Sequence, residues 1–96
     1  MKLEWSHFAL SDRDEIFDYL EADSPRAAIM MDDRISAFVA LLIEFPERGR
    51  PGRIKGTREL IINQTPYLAA YRVIGDTAHI LRILHGSRRW PDEMPD

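Results

Sequence analysis

TRELIINQTPYLAAYRVIGDTAHILRILHGSRRWP, residues 57–91, decides how this chain folds. It holds three short apolar runs, Arg58–Ile62, Tyr67–Ile74 and Ala78–His85, rich in the β-branched and aromatic residues that suit strands. Asn63-Gln64-Thr65-Pro66 and Gly75-Asp76 separate them with turn-forming residues, so neighbouring strands are expected to run antiparallel. In the middle run Tyr67, Ala69, Tyr71 and Val73 share one face, and Leu68, Ala70, Arg72 and Ile74 the other. In the last run Ala78, Ile80, Arg82 and Leu84 stand against His79, Leu81, Ile83 and His85. One face should rest on the remainder of the chain and the other should form an open, partly polar surface; either parity is compatible with the alternation. The stretch ends in a basic tail with His85, Arg88, Arg89 and Trp90.

Upstream, the spacing predicts two helices. Leu3 to Trp5 reads as a short opening strand, and a helix follows from His7 to Glu21, with Ser6 or Ser11 as its cap. Ala9, Ile16 and Leu20 line one side with Tyr19 beside them, while Asp12, Asp14, Glu15 and Asp18 face solvent. Ser24 followed by Pro25 starts a second helix that runs to about Glu44, with Ala28, Met31, Ile35, Phe38, Val39 and Leu42 repeating three and four apart. The short link makes the two helices an antiparallel hairpin. The expected fold is therefore α+β: an antiparallel sheet, built from a short N-terminal strand plus a three-stranded meander, packed against an N-terminal α-helical hairpin. Residues 1–91 form one domain, and residues 92–96, with their prolines and acids, read as a frayed tail.

The formal charge of −3 conceals a division along the chain. Residues 1–47 carry 4 basic and 11 acidic side chains, whereas residues 48–91 carry 9 basic and 2 acidic ones. Such a split marks a basic face for phosphate or an acidic partner; ordinary solvated surface is the alternative. In the loop Glu47–Gly56, glycines accompany Arg48, Arg50, Arg53 and Lys55, which suits contact with phosphate or carboxylate but also describes a mobile connector. The absence of cysteine excludes a disulfide framework and a thiol nucleophile. The longest apolar run is too short to cross a bilayer and the first residues lack a signal-peptide core, so a cytoplasmic protein is expected, with no membrane partner.

His85, beside Gly86 and just before Arg88, can serve as a general acid or base with arginines holding a phosphate, or can simply pack against Trp90. There is no Ser–His–Asp order, metal-ligand cluster or glycine fingerprint, so no metal and no cofactor is expected. Any catalysis is then acid–base cleavage of RNA through its own 2′-hydroxyl, with arginine stabilising the charge. Arg58 and Arg72 lie in strands, where Glu59 can pair with one of them. Tyr67, just after a turn, reads as the exposed tyrosine.

Four segments in this order, DEIFDYLEADSPRAA (14–28), GTREL (56–60), TPYLAAYRV (65–73) and ILRILHGSRRWP (80–91), resemble the RelE/ParE superfamily of toxins from bacterial type II toxin–antitoxin modules. The resemblance implies a growth-inhibiting toxin neutralised by a small antitoxin protein in a hetero-oligomer. Members act either as ribosome-dependent messenger RNA endonucleases or as inhibitors of DNA gyrase. Nuclease members carry lysines in the strand matching Arg58–Ile62 and an arginine after the tyrosine matching Tyr67, where this chain has Leu68. The reading therefore ranks gyrase first, with Arg53, Lys55, Tyr67, Arg89 and Trp90 meeting the target. The nuclease alternative would use His85, Arg88, Arg58 and Arg72, and a further alternative is a non-toxic module that only binds its antitoxin.

Overall fold

The computed structural model describes residues 1–88, 90–91 and 94–95. Arg89, assigned above to target contact, and Asp92, Glu93 and Asp96 of the expected frayed tail lie outside the described residues. A strand β1 (Lys2–Trp5) leads into α1 (His7–Glu21) and α2 (Pro25–Ala40), which a 3-10 turn at Leu41–Ile43 extends. Then come β2 (Arg50–Pro51), β3 (Arg58–Ile61), β4 (Tyr67–Ile74) and β5 (Thr77–His85), in the sheet order β1-β5-β4-β3-β2.

The α+β class, the helix hairpin and the antiparallel meander are as expected. Two details of the sheet are new. A two-residue strand, β2, forms within the loop and pairs with Arg58 and Glu59. The N-terminal strand joins β5 in parallel, with Leu3 opposite Ala78 and Trp5 opposite Ile80, so the sheet is mixed. Parallel neighbours need a long crossover, and the helix hairpin with the rest of the meander supplies it.

Serine caps open both helices: Ser6 Oγ accepts the Ala9 amide at 3.0 Å, and Ser24 Oγ the Ala27 amide at 3.2 Å. A bidentate pair, Arg13 to Asp32 at 2.9 Å in both bonds, ties α1 to α2. The expected stripe of α2 is buried at Ala28, Ile35, Val39 and Leu42. Ile35, Val39 and Leu42 pack with Ala9 on Leu60, Ile62, Ala69, Tyr71, Ala78, Ile80 and Ile83. The parity left open by alternation is thus decided: Tyr67, Ala69 and Tyr71 face the hairpin. Tyr19 is not part of this side; it is 70% exposed.

Two expectations about facing are corrected. In β5, Ala70 pairs with Arg82 but Tyr71 pairs with Ile80, so Leu81 is an extra residue, a β-bulge. The bulge reverses the alternation, so Ala78, Ile80 and Ile83 share the core while Leu84 packs with Leu68 and Ala70 on the outer face. Asp12, read as facing solvent, is only 8% exposed. It accepts Arg82 Nε at 2.7 Å, Arg82 Nη2 at 2.8 Å and the Ile83 amide at 2.9 Å. The reason is the shortness of β1, whose pairing ends opposite Ile80 and leaves the edge of β5 open beyond it. Ser6 Oγ donates to the Leu81 carbonyl at 2.7 Å, and Asp12 accepts the next exposed amide.

Candidate target-binding face

The loop read as a mobile connector is bound into the fold by two buried groups. Tyr71 is fully buried, and its hydroxyl donates to the Pro46 carbonyl at 2.7 Å and accepts the Gly49 amide at 2.9 Å. Glycine is needed there, because a Cβ on Gly49 would lie 2.6 Å from the Tyr71 hydroxyl. Burial pushes the Tyr71 hydroxyl above its ordinary pKa of 10.0, against the opposing effect of the Gly49 bond. The second anchor is Glu59, whose side chain is 4% exposed. It accepts Arg50 Nη2 at 3.0 Å and the Arg53 amide at 2.8 Å, with Arg53 Nε 3.8 Å away. The expectation that Glu59 pairs with Arg58 or Arg72 is corrected: β2 brings Arg50 directly opposite Glu59. Arg58 instead donates to the carbonyls of Gly49 at 2.8 Å and Glu47 at 3.3 Å.

On the sheet face away from the helices, Leu68, Ala70 and Leu84 form a small apolar strip on which Trp90 and Met94 pack. The Arg53 guanidinium lies 3.4 Å from the centre of the Trp90 ring, a cation–π stack. Arg72 follows Ala70 on the same face, opposite His79 in β5. A Cβ on Gly56 would stand 4.0 Å from Arg72 Nε, which brings this end of the loop beside the arginine. Arg53, Arg72 and Trp90 therefore share one surface, while Lys55 is exposed on the adjoining loop.

The remaining candidates gather elsewhere. Tyr67 stacks edge-on with His85 at 5.6 Å between ring centres and is half-buried against the core, not exposed as read from its turn. Burial raises the Tyr67 pKa, and the charge of Arg88 acts in the opposite sense, which puts Arg88 at this end of the sheet. His85 Nδ1 lies 3.2 Å from the Ser87 amide and 3.0 Å from its hydroxyl. Arg58 pairs with Tyr71, four residues along β4 from Tyr67, a separation of about 13 Å at strand rise. Arg72 projects from the opposite face. His85 and Arg88 thus come together, while Arg58 and Arg72 are set apart from them and from each other. Among the described residues no three His, Asp or Glu side chains converge so as to hold a metal ion, and no helix is long and apolar enough to cross a membrane.

Glu59 is the anchoring residue whose partners differ from those expected from the sequence. Its signal was present: it is one of two acids among nine basic residues in positions 48–91, the pattern of an internal counter-ion.

A helix hairpin on one side of a five-stranded sheet, with arginine and tryptophan presented on the other, defines a small two-layer domain of the RelE/ParE toxin superfamily. Residues 3–90 match the family described as the ParE toxin of the type II toxin–antitoxin system parDE, and the chain belongs to that family. It is 43% identical over 93 residues to putative toxin Y4kP of Sinorhizobium fredii, covering 97% of this chain and 96% of the relative. To toxin RelE2 of Caulobacter vibrioides it is 39% identical over 84 residues, covering 88% and 93% respectively. Among solved structures it is similar to the chromosomal ParDE TA system from P. aeruginosa, with a TM-score of 0.78 and 34% identity over 86% of this chain and 92% of that one.

Proposed function

We propose that this toxin arrests growth by binding DNA gyrase and that a cognate antitoxin neutralises it in a hetero-oligomeric complex. The distribution of cations supports binding over catalysis. Arg58 is committed to backbone carbonyls, Arg72 stands on the far side of the sheet from Tyr71, and His85 and Arg88 occupy a third place. Phosphodiester cleavage needs its acid, base and charge-stabilising groups around one reacting atom. A basic surface with a stacked tryptophan needs only a complementary partner. The similar solved structure is described as a ParDE TA system, which supports an antitoxin for this chain. Both proteins would act in the cytoplasm.

The test is induction of the chain with and without the neighbouring reading frame, alongside a supercoiling assay with purified gyrase. Growth arrest with loss of supercoiling, relieved by the neighbour, is the expected result. Messenger RNA cut at ribosomal A sites while supercoiling persists would transfer the function to the end of the sheet where Tyr67, His85 and Arg88 meet. His85→Ala and Arg88→Ala would then abolish cutting. Harmless accumulation of folded chain that still captures the neighbour would mark a module that only binds its antitoxin.

A further inference from the structure

Three outward side chains stand in one row across the sheet. Register pairs Glu4 of β1 with His79 of β5, and His79 with Arg72 of β4. Their chain neighbours Leu3, Trp5, Ala78, Ile80 and Tyr71 pack in the core, so all three project from the opposite face. Adjacent strands lie about 4.8 Å apart, which makes the row about 10 Å long. With no partner of their own among the described residues, these three lie between committed cations: Arg82 on one side is held by Asp12, and Lys2 on the other lies 3.8 Å from Asp76. Two residues beyond Arg72, on the same face, Ile74 is 58% exposed.

The row has a permanent cation at one end, a carboxylate at the other and a titratable imidazole between them. It suits a single anion and not a polyanion. A nucleic-acid backbone lying across the row meets Glu4, and one running along the strands meets the apolar Ile74 instead of a further cation. A protein segment matches better. On an extended chain a carboxylate and an aliphatic group two residues apart share one face at a spacing of about 7 Å, the spacing of Arg72 and Ile74. We propose that Arg72, His79 and Ile74 form a recognition site for an acidic protein segment. The carboxylate lies between the Arg72 guanidinium and an imidazole N–H of His79, and the aliphatic group rests on Ile74. This deepens the reading of the outer face as the target-binding side by naming the chemistry that it accepts. It also ties affinity to the charge of His79, which Glu4 faces from β1 and Arg72 from β4, with Arg82 and Lys2 beside their own carboxylates.

Titration of the whole chain with the end-blocked tripeptide Leu-Ala-Glu, followed by nuclear magnetic resonance, tests the site. Amide signals of Arg72, Ile74 and His79 should shift together, and the peptide with Gln in place of Glu should leave them where they are. Arg72→Ala should weaken binding roughly two- to fivefold, the range of an exposed charge pair, and Arg72→Lys should recover most of the loss. Ile74→Thr should remove the preference for Leu-Ala-Glu over Gly-Ala-Glu. Lowering the pH from about 8 to about 6 should strengthen binding in the parent and not in His79→Gln, because histidine is the side chain that gains charge in that interval. The same spectra report whether each variant is folded. Equal shifts from the Gln peptide, or displacement of the peptide from these residues by a short DNA duplex, would overturn the site. A chain that leaves gyrase untouched yet binds the tripeptide keeps the site and loses only the gyrase reading.

Discussion

Single side chains hold the loop to the sheet, and Tyr71 is the plainest case. Tyr71→Phe keeps the ring but leaves the Gly49 amide and the Pro46 carbonyl without their partner. An unsatisfied buried group costs about 1–3 kcal/mol, a loss that chemical denaturation should register. The same hydroxyl predicts a dependence on pH. An unfolded tyrosine releases its proton near 10, while burial holds that of folded Tyr71 above this value. Between the two the folded state binds more protons, so its contribution is complete below about pH 10 and is lost as pH rises through the folded value. Denaturation midpoints should fall less steeply above about pH 10 in Tyr71→Phe than in the parent. Asp12 is the second such residue. Its bonds hold the Arg82 guanidinium above its ordinary basicity, outweighing the opposing effect of burial. Asp12→Ala should lower stability by about 3 kcal/mol, the low end for breaking a buried pair, since Arg82 keeps some access to water. Neither role is written in the local sequence: the helical wheel put Asp12 among acids on a solvated face, and only the missing end of β1 gives it a task.

Among the elements, the two helix caps look alike in sequence and differ in the fold. Ser24 caps α2 in an exposed turn, and its side chain makes no other bond among the described residues. Ser6 caps α1 and also donates to the carbonyl of Leu81, the bulged residue of β5. Ser24→Ala should therefore cost about 1 kcal/mol and Ser6→Ala about 2 kcal/mol in thermal or chemical unfolding, the second adding a lost hydrogen bond to a lost cap. Equal losses would show that the bond to Leu81 contributes nothing. Helix and strand limits were largely legible, because each element repeats its own apolar period and ends at serine, proline or glycine. The bulge was not. One extra residue in β5 reverses the facing of everything after Leu81, and Leu81, Ile83 and Leu84 are similar enough in kind that no register is preferred by composition.

For the whole molecule, the division between acidic and basic halves overstates the charge available to a partner. Arg50 and Arg53 are drawn onto Glu59, Arg58 onto carbonyls and Arg82 onto Asp12. Arg48, Lys55, Arg72 and Arg88 have side chains that bond to no other described residue. Arg72→Ala should therefore weaken target binding, and weaken it most at low salt, while changing stability by no more than about 0.5 kcal/mol. Arg82→Ala should show the reverse, a loss of stability with little change in the affinity of the folded fraction. Titration against the target at two ionic strengths, paired with unfolding curves, separates the two roles. Of the residues read as a nuclease set, His85 and Arg88 come together and Arg58 and Arg72 do not, because adjacent positions in a strand point to opposite faces and four residues along it span a long way.

The sequence by itself determined the helix hairpin, the meander, the turns and the basic half, since each is a local pattern with a period or a cap that physical chemistry reads directly. The tertiary structure alone decided which face of the sheet the hairpin covers, the parallel seat of β1, the burial of Asp12 and Glu59, and the resting place of Trp90. These depend on which distant group satisfies an open strand edge, a buried charge or an uncovered apolar strip, and a local pattern carries no record of its distant partner.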